Sequence, residues 1–368
     1  MAYSVRKGEH VMNILHIASL TGSAYKGVEV AVPQHIRAQE KHENVALINI
    51  QNKPIDGIKN QFEYTTPFSL KTLPAPFDSP DLVVFHEVYR VPYLSISAHL
   101  RQQKIPYIIL PHGSLTDMAQ RKSRVKKIVG NLLLFNRFIN NAKGIQFLSK
   151  KEQDRSRNKK KGFVGANGVT LPDTFKTEFN KDKVQFVFIG RKDIYYKGLD
   201  LLLSAIALES SVLKEHNTQI HLYGSSNENN LLRLEELIKD LPIDDLVKNH
   251  DSIFGDSKAE ALLSADIFVQ TSRSEGMPLS ILEALSYGVP CLVTEGTNLG
   301  ALIREYDAGW VIQADVQDIA QGLKLVISQR EQWTRKAANA RRLVQENYLW
   351  DKVVFDALEN YKHIVNQG

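Results

Sequence analysis

Residues 271–293 read TSRSEGMPLSILEALSYGVPCLV, and the fold follows from how that segment must lie. The apolar run 267–270 before it is short enough for a strand buried on both faces, and the run 290–293 after it has the same character. Between them, Pro278 stands where the first turn of a helix should begin and Gly288 where it should end. Strand, loop, helix and strand in that order are the repeating unit of a parallel α/β sheet. Gly276 lets a ligand approach the loop backbone, and the amides of Met277, Leu279 and Ser280 would point at it, which makes the helix start an anion site suited to phosphate. Glu275 lies in the loop and Glu283 about one and a half turns into the helix. A carboxylate only accepts hydrogen bonds, so the pair suits the hydroxyls of a ribose or a hexose. Alone, Glu275 reads as a helix-start charge and Glu283 as a solvated surface residue; the surrounding Gly, Pro, helix and strands argue together for a site.

Working outward, a second anion site precedes this one. The apolar run 184–189 ends at Gly190, a helix should start near Leu199, and Arg191 and Lys197 fall in the connection. That places them on the carboxyl edge of the sheet, where open α/β folds bind ligands. A planar guanidinium and a flexible ammonium can together clamp a diphosphate, although either one alone reads as loop solvation. Further short apolar runs at 219–223 and, in the first half, at 13–18, 45–50, 82–85, 107–110 and 145–148 complete a chain of strands alternating with amphipathic helices. A polar, turn-rich stretch at 167–182 reads as a linker between two similar α/β halves, and a cleft between such halves is the default binding site.

The 368 residues exceed what a single core supports and agree with two domains. With 43% hydrophobic and 24% charged residues, 21 Gly and 13 Pro, the chain is neither collagen-like, low-complexity nor disordered. A single cysteine, Cys291, cannot form an intrachain disulfide, and no Cys/His set has zinc-site spacing. No apolar run is long enough to span a membrane, so the expected location is the cytoplasm. Residues 1–11 precede a second methionine, Met12, and read either as a frayed extension or as an artefact of where the start is assigned. No Gly-x-Gly-x-x-Gly follows a strand, and there is no P-loop, nucleophile elbow or His-Glu-x-x-His.

With these residues in place, the chain resembles retaining glycosyltransferases of family 4, which have the GT-B fold. The resemblance rests on the Glu275-x7-Glu283 segment, on Arg191 with Lys197, and on the doubled α/β layout. It covers nearly the whole chain and is strongest over 184–312. It implies two Rossmann-like α/β domains facing each other across a cleft: an acceptor-side domain over 1–170, joined by a C-terminal helix at about 348–368 that crosses back to it, and a donor domain over 181–347. By the same resemblance, Arg191 and Lys197 hold the donor's diphosphate, Glu283 binds the nucleotide ribose, and Glu275 contacts the donor sugar. The amides of Gly276, Met277 and Leu279 face sugar and phosphates, Tyr223 and Gly224 lie where a strand approaches the nucleotide, and Phe254 lies near the base. In the first half, Lys26-Gly27-Val28-Glu29 stands where the family usually has Gly-Gly-x-Glu, so one glycine is lost while Gly27 remains. His112, in Pro111-His112-Gly113, stands where the family places a histidine at the donor sugar, and His86 is a second candidate for the same cleft.

The activity implied is transfer of a sugar from a nucleotide diphosphate donor, a UDP-sugar, to an acceptor hydroxyl with retained configuration. It needs no cofactor and no metal, with the cations and helix start taking the charge that develops on the diphosphate. The acceptor would be a glycan, a lipid-linked species or a protein in bacterial surface glycan synthesis. A catalytically silent GT-B partner subunit and a nucleotide-sugar epimerase are the alternatives, and nucleic-acid binding ranks last. Residues 101–161 hold 16 Lys/Arg against 3 Asp/Glu in a chain of net charge +5. That excess, centred on a basic amphipathic segment at 121–135, suggests either an anionic membrane surface met peripherally, a phosphorylated acceptor, or simply a solvated basic face.

Overall fold

The computed structural model describes residues 11–23, 27–117, 120, 134–156, 158–180 and 182–367. Lys26, the leader up to His10 and most of the basic segment 121–135 lie outside them. The chain divides into two units, one formed by residues 1–168 with 350–368 and the other by 169–349.

The first unit is built on a seven-stranded sheet in the order β3-β2-β1-β4-β5-β6-β7, with every pairing parallel. Its strands are β1 (Asn13–Ala18), β2 (Asn44–Asn49), β3 (Gln61–Glu63), β4 (Leu82–His86), β5 (Tyr107–Leu110), β6 (Gly144–Phe147) and β7 (Gly162–Val164). Alternation along β1 sends Leu15 and Ile17 to a core with Val83, Phe85 and Tyr107, and Ile14 and Ala18 to a core on the opposite face. The helix Trp350–Asn366 closes that second core with Val354, Leu358 and Tyr361, and packs on the helix Gly27–Gln39. Burial on both faces is the reason the central strands β1, β2, β4, β5 and β6 read as largely apolar runs.

The second unit holds six parallel strands in the order β10-β9-β8-β11-β12-β13. They are β8 (Val184–Ile189), β9 (Thr218–Tyr223), β10 (Val247–His250), β11 (Ile267–Gln270), β12 (Cys291–Thr294) and β13 (Gly309–Ile312). Four strands, β3, β7, β10 and β13, were not legible in the sequence. Each lies at or beside a sheet edge, is three or four residues long, and is only partly buried along its length. The stretch expected as a linker is packed at both ends. Asn167 is buried against His35 in the first unit, while Lys176 is buried in the second, paired with Asp266 at 3.1 Å.

In each sheet the strand order reverses beside one strand, so that β1 and β4 are neighbours, as are β8 and β11. Connections leaving neighbouring strands at such a switch point diverge to opposite faces and open a crevice at the carboxyl edge. In the second unit the loops concerned are the ones that carry Lys197 and Glu275.

Candidate functional site

The loop after β8 is folded by its own polar groups. The Tyr196 amide donates to Asp193 Oδ1 at 3.0 Å and the Lys197 amide to the Asp193 carbonyl at 2.9 Å. Gly198 then takes φ +64°, and a Cβ there would sit 2.1 Å from the Thr271 carbonyl oxygen. Only glycine allows this approach. The Thr271 hydroxyl answers by donating to the Gly198 carbonyl at 3.0 Å, so the end of the β8 loop is fastened to the exit of β11.

That fastening brings Lys197 to Glu275. Lys197 Nζ lies 2.5 Å from Glu275 Oε1, with both side chains about one-seventh exposed, at 14% and 15%. The same oxygen accepts from the Ser272 hydroxyl at 2.7 Å and from Gln270 Nε2 at 3.0 Å, and Gln270 Oε1 in turn accepts from the Ser280 hydroxyl at 3.0 Å. The backbone of Glu275 is held as well, its amide donating to the Gly296 carbonyl at 2.9 Å and its carbonyl accepting from Asn298 Nδ2. An ammonium carries three protons and one is spent on Glu275. Two donors remain for other partners.

The helix expected after this loop spans Leu279–Ser286. Pro278 is its N-cap rather than a residue of its first turn, and it gives no side-chain cap. The first-turn amides of Leu279 and Ser280 precede any intrahelical acceptor, so they present the positive end of the helix to the crevice. Gly288, at φ +75°, ends the helix in the left-handed conformation. Glu283 is half-buried and ion-paired with Lys258, a residue sequence reading did not single out. Arg191 is the outlier of the expected set: its guanidinium is 63% exposed and lies 3.6 Å from Asp193, free to swing toward a ligand but not positioned for one. Phe254 is exposed at the start of the helix Gly255–Ser264.

Tyr223 stacks on His250 with ring centroids 4.5 Å apart, and His250 stacks on His221 at 5.1 Å. Beneath them Lys192 is fully buried, its Nζ donating to Asn249 Oδ1 at 2.5 Å and to the His250 carbonyl. Burial lowers the Lys192 pKa to about 8. This buried lysine ties the β8 exit to the β10 exit, and the sequence reading passed over it. Gly224 has a packing reason of its own, since a Cβ there would lie 1.8 Å from the Gly190 carbonyl oxygen.

In the first unit, His112 sits at φ +47° in the turn after β5. The turn is held by Glu152, which is buried. Its carboxylate accepts from the Gly113 amide and from the Leu148 amide, each at 2.7 Å. Burial raises the Glu152 pKa, and those two backbone bonds act against it. His112 Nε2 lies 3.1 Å from His86 Nδ1, and His86 Nε2 lies 2.8 Å from His16 Nδ1. His86, a second candidate for a cleft, also reads as an ordinary structural histidine at a strand end. It is 1% exposed and sandwiched between the other two rings, so any influence it has on a ligand passes through His112. Burial lowers the pKa of His16 and of His112 to about 3, and that of His86 well below 6.5. Gly27 begins the helix Gly27–Gln39 with open space where a Cβ would stand. Glu29 reaches back to accept from the amides of Thr21 and Gly22, at 2.8 and 3.1 Å.

The family model described as "Glycosyl transferases group 1" matches residues 171–343. An uncharacterized glycosyltransferase of Methanocaldococcus jannaschii is 29% identical over 182 residues, which cover 49% of this chain and 45% of that one. A D-inositol 3-phosphate glycosyltransferase of Arthrobacter sp. (strain FB24) is 28% identical over 189 residues, covering 50% and 44%. The matched stretch thus spans about half the length of this chain and just under half that of these curated relatives. Among solved structures, Anabaena HepE, crystallised with UDP and glucose, superposes with a TM-score of 0.73 over 95% of this chain and 99% of that one at 16% identity. Sucrose-phosphate synthase from Thermosynechococcus elongatus superposes with a TM-score of 0.74 over 97% and 100%, at 18% identity. At such identities the likeness speaks for the fold, which is that of the GT-B glycosyltransferases. The family match falls on the second unit, which carries Lys197, Glu275 and Glu283.

Proposed function

We propose that the chain is a retaining glycosyltransferase of family 4, moving a sugar from a nucleoside diphosphate donor to an acceptor hydroxyl. The observation that carries this reading is Lys197, held at 2.5 Å from Glu275 beside the uncapped helix start at Leu279. A cation and a helix N-terminus at a strand-order switch point suit a diphosphate, and a carboxylate beside them suits a sugar hydroxyl. The bond between the anomeric carbon and the diphosphate oxygen breaks, its electron pair leaving on the diphosphate. The acceptor oxygen bonds to the anomeric carbon from the same face, and its proton passes to the departing diphosphate oxygen. Lys197, Arg191 and the amides of Gly276, Met277 and Leu279 take the developing negative charge, and because Lys197 is already fixed, it stabilises that charge without reorganising.

Glu283 is assigned to the ribose, Tyr223, Gly224 and Phe254 to the nucleotide, and His112 and Gly27 to the donor. UDP is the nucleotide this reading favours, as HepE was crystallised with UDP and glucose. The charge clamp does the work that a divalent cation does elsewhere, so turnover should persist in EDTA. Among the described residues no helix is long and apolar enough to cross a membrane, and a cytoplasmic enzyme meeting a glycan, lipid-linked or protein acceptor at an anionic surface fits the basic stretch 101–161.

Lys197→Ala tests the reading. Removing one donor aimed at developing charge typically costs 10²- to 10³-fold in kcat, measured here as release of UDP from UDP-sugars with the far-UV circular dichroism unchanged. Turnover within a few-fold of the parent chain would sink the assignment.

A further inference from the structure

Three histidines on or just after neighbouring strands of the first sheet form one column. His16 lies on β1 and His86 at the end of β4, while His112 follows β5. Their rings stack at 5.1 and 5.4 Å, tilted by 19° and 27°, and each passes one ring nitrogen to the next. A neutral imidazole has one donor and one acceptor nitrogen, so the direction of such a column is set by whatever anchors its end.

The anchor can be traced to a group whose polarity is not in doubt. Gln146 Nε2 donates to the Gly165 backbone carbonyl at 3.0 Å, which leaves Gln146 Oε1 to accept the Tyr361 hydroxyl at 2.6 Å. The Tyr361 proton is thereby spent, and its oxygen can only accept. Gln39 lies beside it, its Nε2 buried with no well-aligned partner and the Tyr361 hydroxyl as its neighbour. Turned this way, Gln39 offers Oε1 to His16 Nε2 at 2.9 Å. His16 Nε2 therefore carries the proton, His16 Nδ1 accepts from His86 Nε2–H, and His86 Nδ1 accepts from His112 Nε2–H. The opposite assignment would leave the Gln39 and Gln146 amide oxygens competing for the one Tyr361 proton in a dry core. Burial keeps all three rings neutral, so no extra proton blurs the pattern.

We propose that this column locks His112 in the Nε2–H form and presents its Nδ1 as a hydrogen-bond acceptor to a hydroxyl of the bound sugar. The proposal rests on the reading of His112 as a sugar contact. It makes Gln39, His16, His86 and Tyr361 positioning residues, which act through His112 and touch no substrate. It also fixes the chemistry of the partner: a neutral group that donates a hydrogen bond.

Nitrogen-15 NMR of histidine-labelled protein at neutral pH tests this without any variant. The expected spectrum has His112, His86 and His16 each with Nδ1 unprotonated and Nε2 protonated. In Gln39→Leu the anchor is lost, the His112 Nδ1 resonance should move toward the protonated position, and kcat/KM should fall about tenfold, the value of one hydrogen bond. Tyr361→Phe should produce the same shift in part. A His112 Nδ1 protonated in the parent chain overturns the proposal, as do unchanged shifts in Gln39→Leu. The locked form with a kinetically silent His112→Ala overturns the sugar assignment of His112. The donor site of the second unit would be untouched by that result, because it is judged separately through Lys197.

Discussion

Acidification should unfold the first unit before the second, and the size of the effect follows from two imidazoles. Burial lowers His16 to about 3, against a weaker opposing hydrogen bond donated to Gln39 Oε1, and lowers His35 to about 4, against one donated to Asn167 Oδ1. Both side chains are essentially inaccessible, at 0% and 2% exposure. A folded-state value below the unfolded 6.5 means the unfolded chain binds the proton first. The stability these groups contribute is then complete above pH 6.5 and drains away as the pH falls toward 4 and 3. At pH 5 an unfolded imidazole sits 1.5 units below its own value while the folded one stays neutral, and at 1.36 kcal/mol per unit that is about 2 kcal/mol for each. The pair costs about 4 kcal/mol, a large share of the 5–15 kcal/mol that holds a domain together. His86 and His112 push the same way. Glu152, raised by burial, pushes back, since it gains a proton in the folded state first. Native-state amide exchange resolves the two units separately. Between pH 7.5 and 5.0 the opening free energy of peptides covering β1, β4 and β5 should fall by about 4 kcal/mol or more, and that of β8 and β9 by much less. His35→Gln should remove about 2 kcal/mol of the drop, its own share. Equal behaviour in the two units, or a drop unaltered in His35→Gln, would refute the reasoning.

Other substitutions probe the second unit. Gly198→Ala forces a left-handed backbone on a residue whose Cβ would meet the Thr271 carbonyl at 2.1 Å. A loss of about 2–4 kcal/mol in denaturant unfolding is expected, together with loss of UDP binding by calorimetry, because the Lys197 loop is displaced. Lys258→Met leaves the half-buried Glu283 carboxylate without its cation. Donor KM should rise about three- to tenfold with kcat little changed, as for uniform binding, and a kcat-only effect would contradict a ribose role for Glu283. Cys291 is fully buried and its thiol is pushed well above the usual range by burial, so maleimide should label it only after unfolding.

How much of this was legible depends on where each signal resides. The strand ranges of β1, β5, β8 and β11 coincide with their apolar runs because both faces are buried and hydrophobicity alone marks them. The edge strands carry no such run, and Val247–His250 is polar at three of its four positions. The site divides in the same way. Glu275, Gly288 and Lys197 announce themselves through local grammar: a loop, a helix end, a strand exit. Lys192 and Lys258 do not, because a lysine's meaning lies in its partner. The partner of Lys192 is Asn249, reached only once β8, β9 and β10 lie side by side. The histidine column is the sharper case. His16 and His86 are 70 positions apart, and nothing in either strand sets its histidine off from an ordinary buried one. What joins them is the sheet order, which makes β1, β4 and β5 neighbours, and the pleat. Ile17 pairs with Phe85, so His16 and His86 fall on the same face, one pleat apart diagonally. Only with the order 2-1-4-5 in hand do the three histidines, one inside β1, one at the end of β4 and one after β5, stand out as neighbours. The residues that hold a site in place are therefore readable only after topology, whereas the residues proposed to meet the ligand are readable before it.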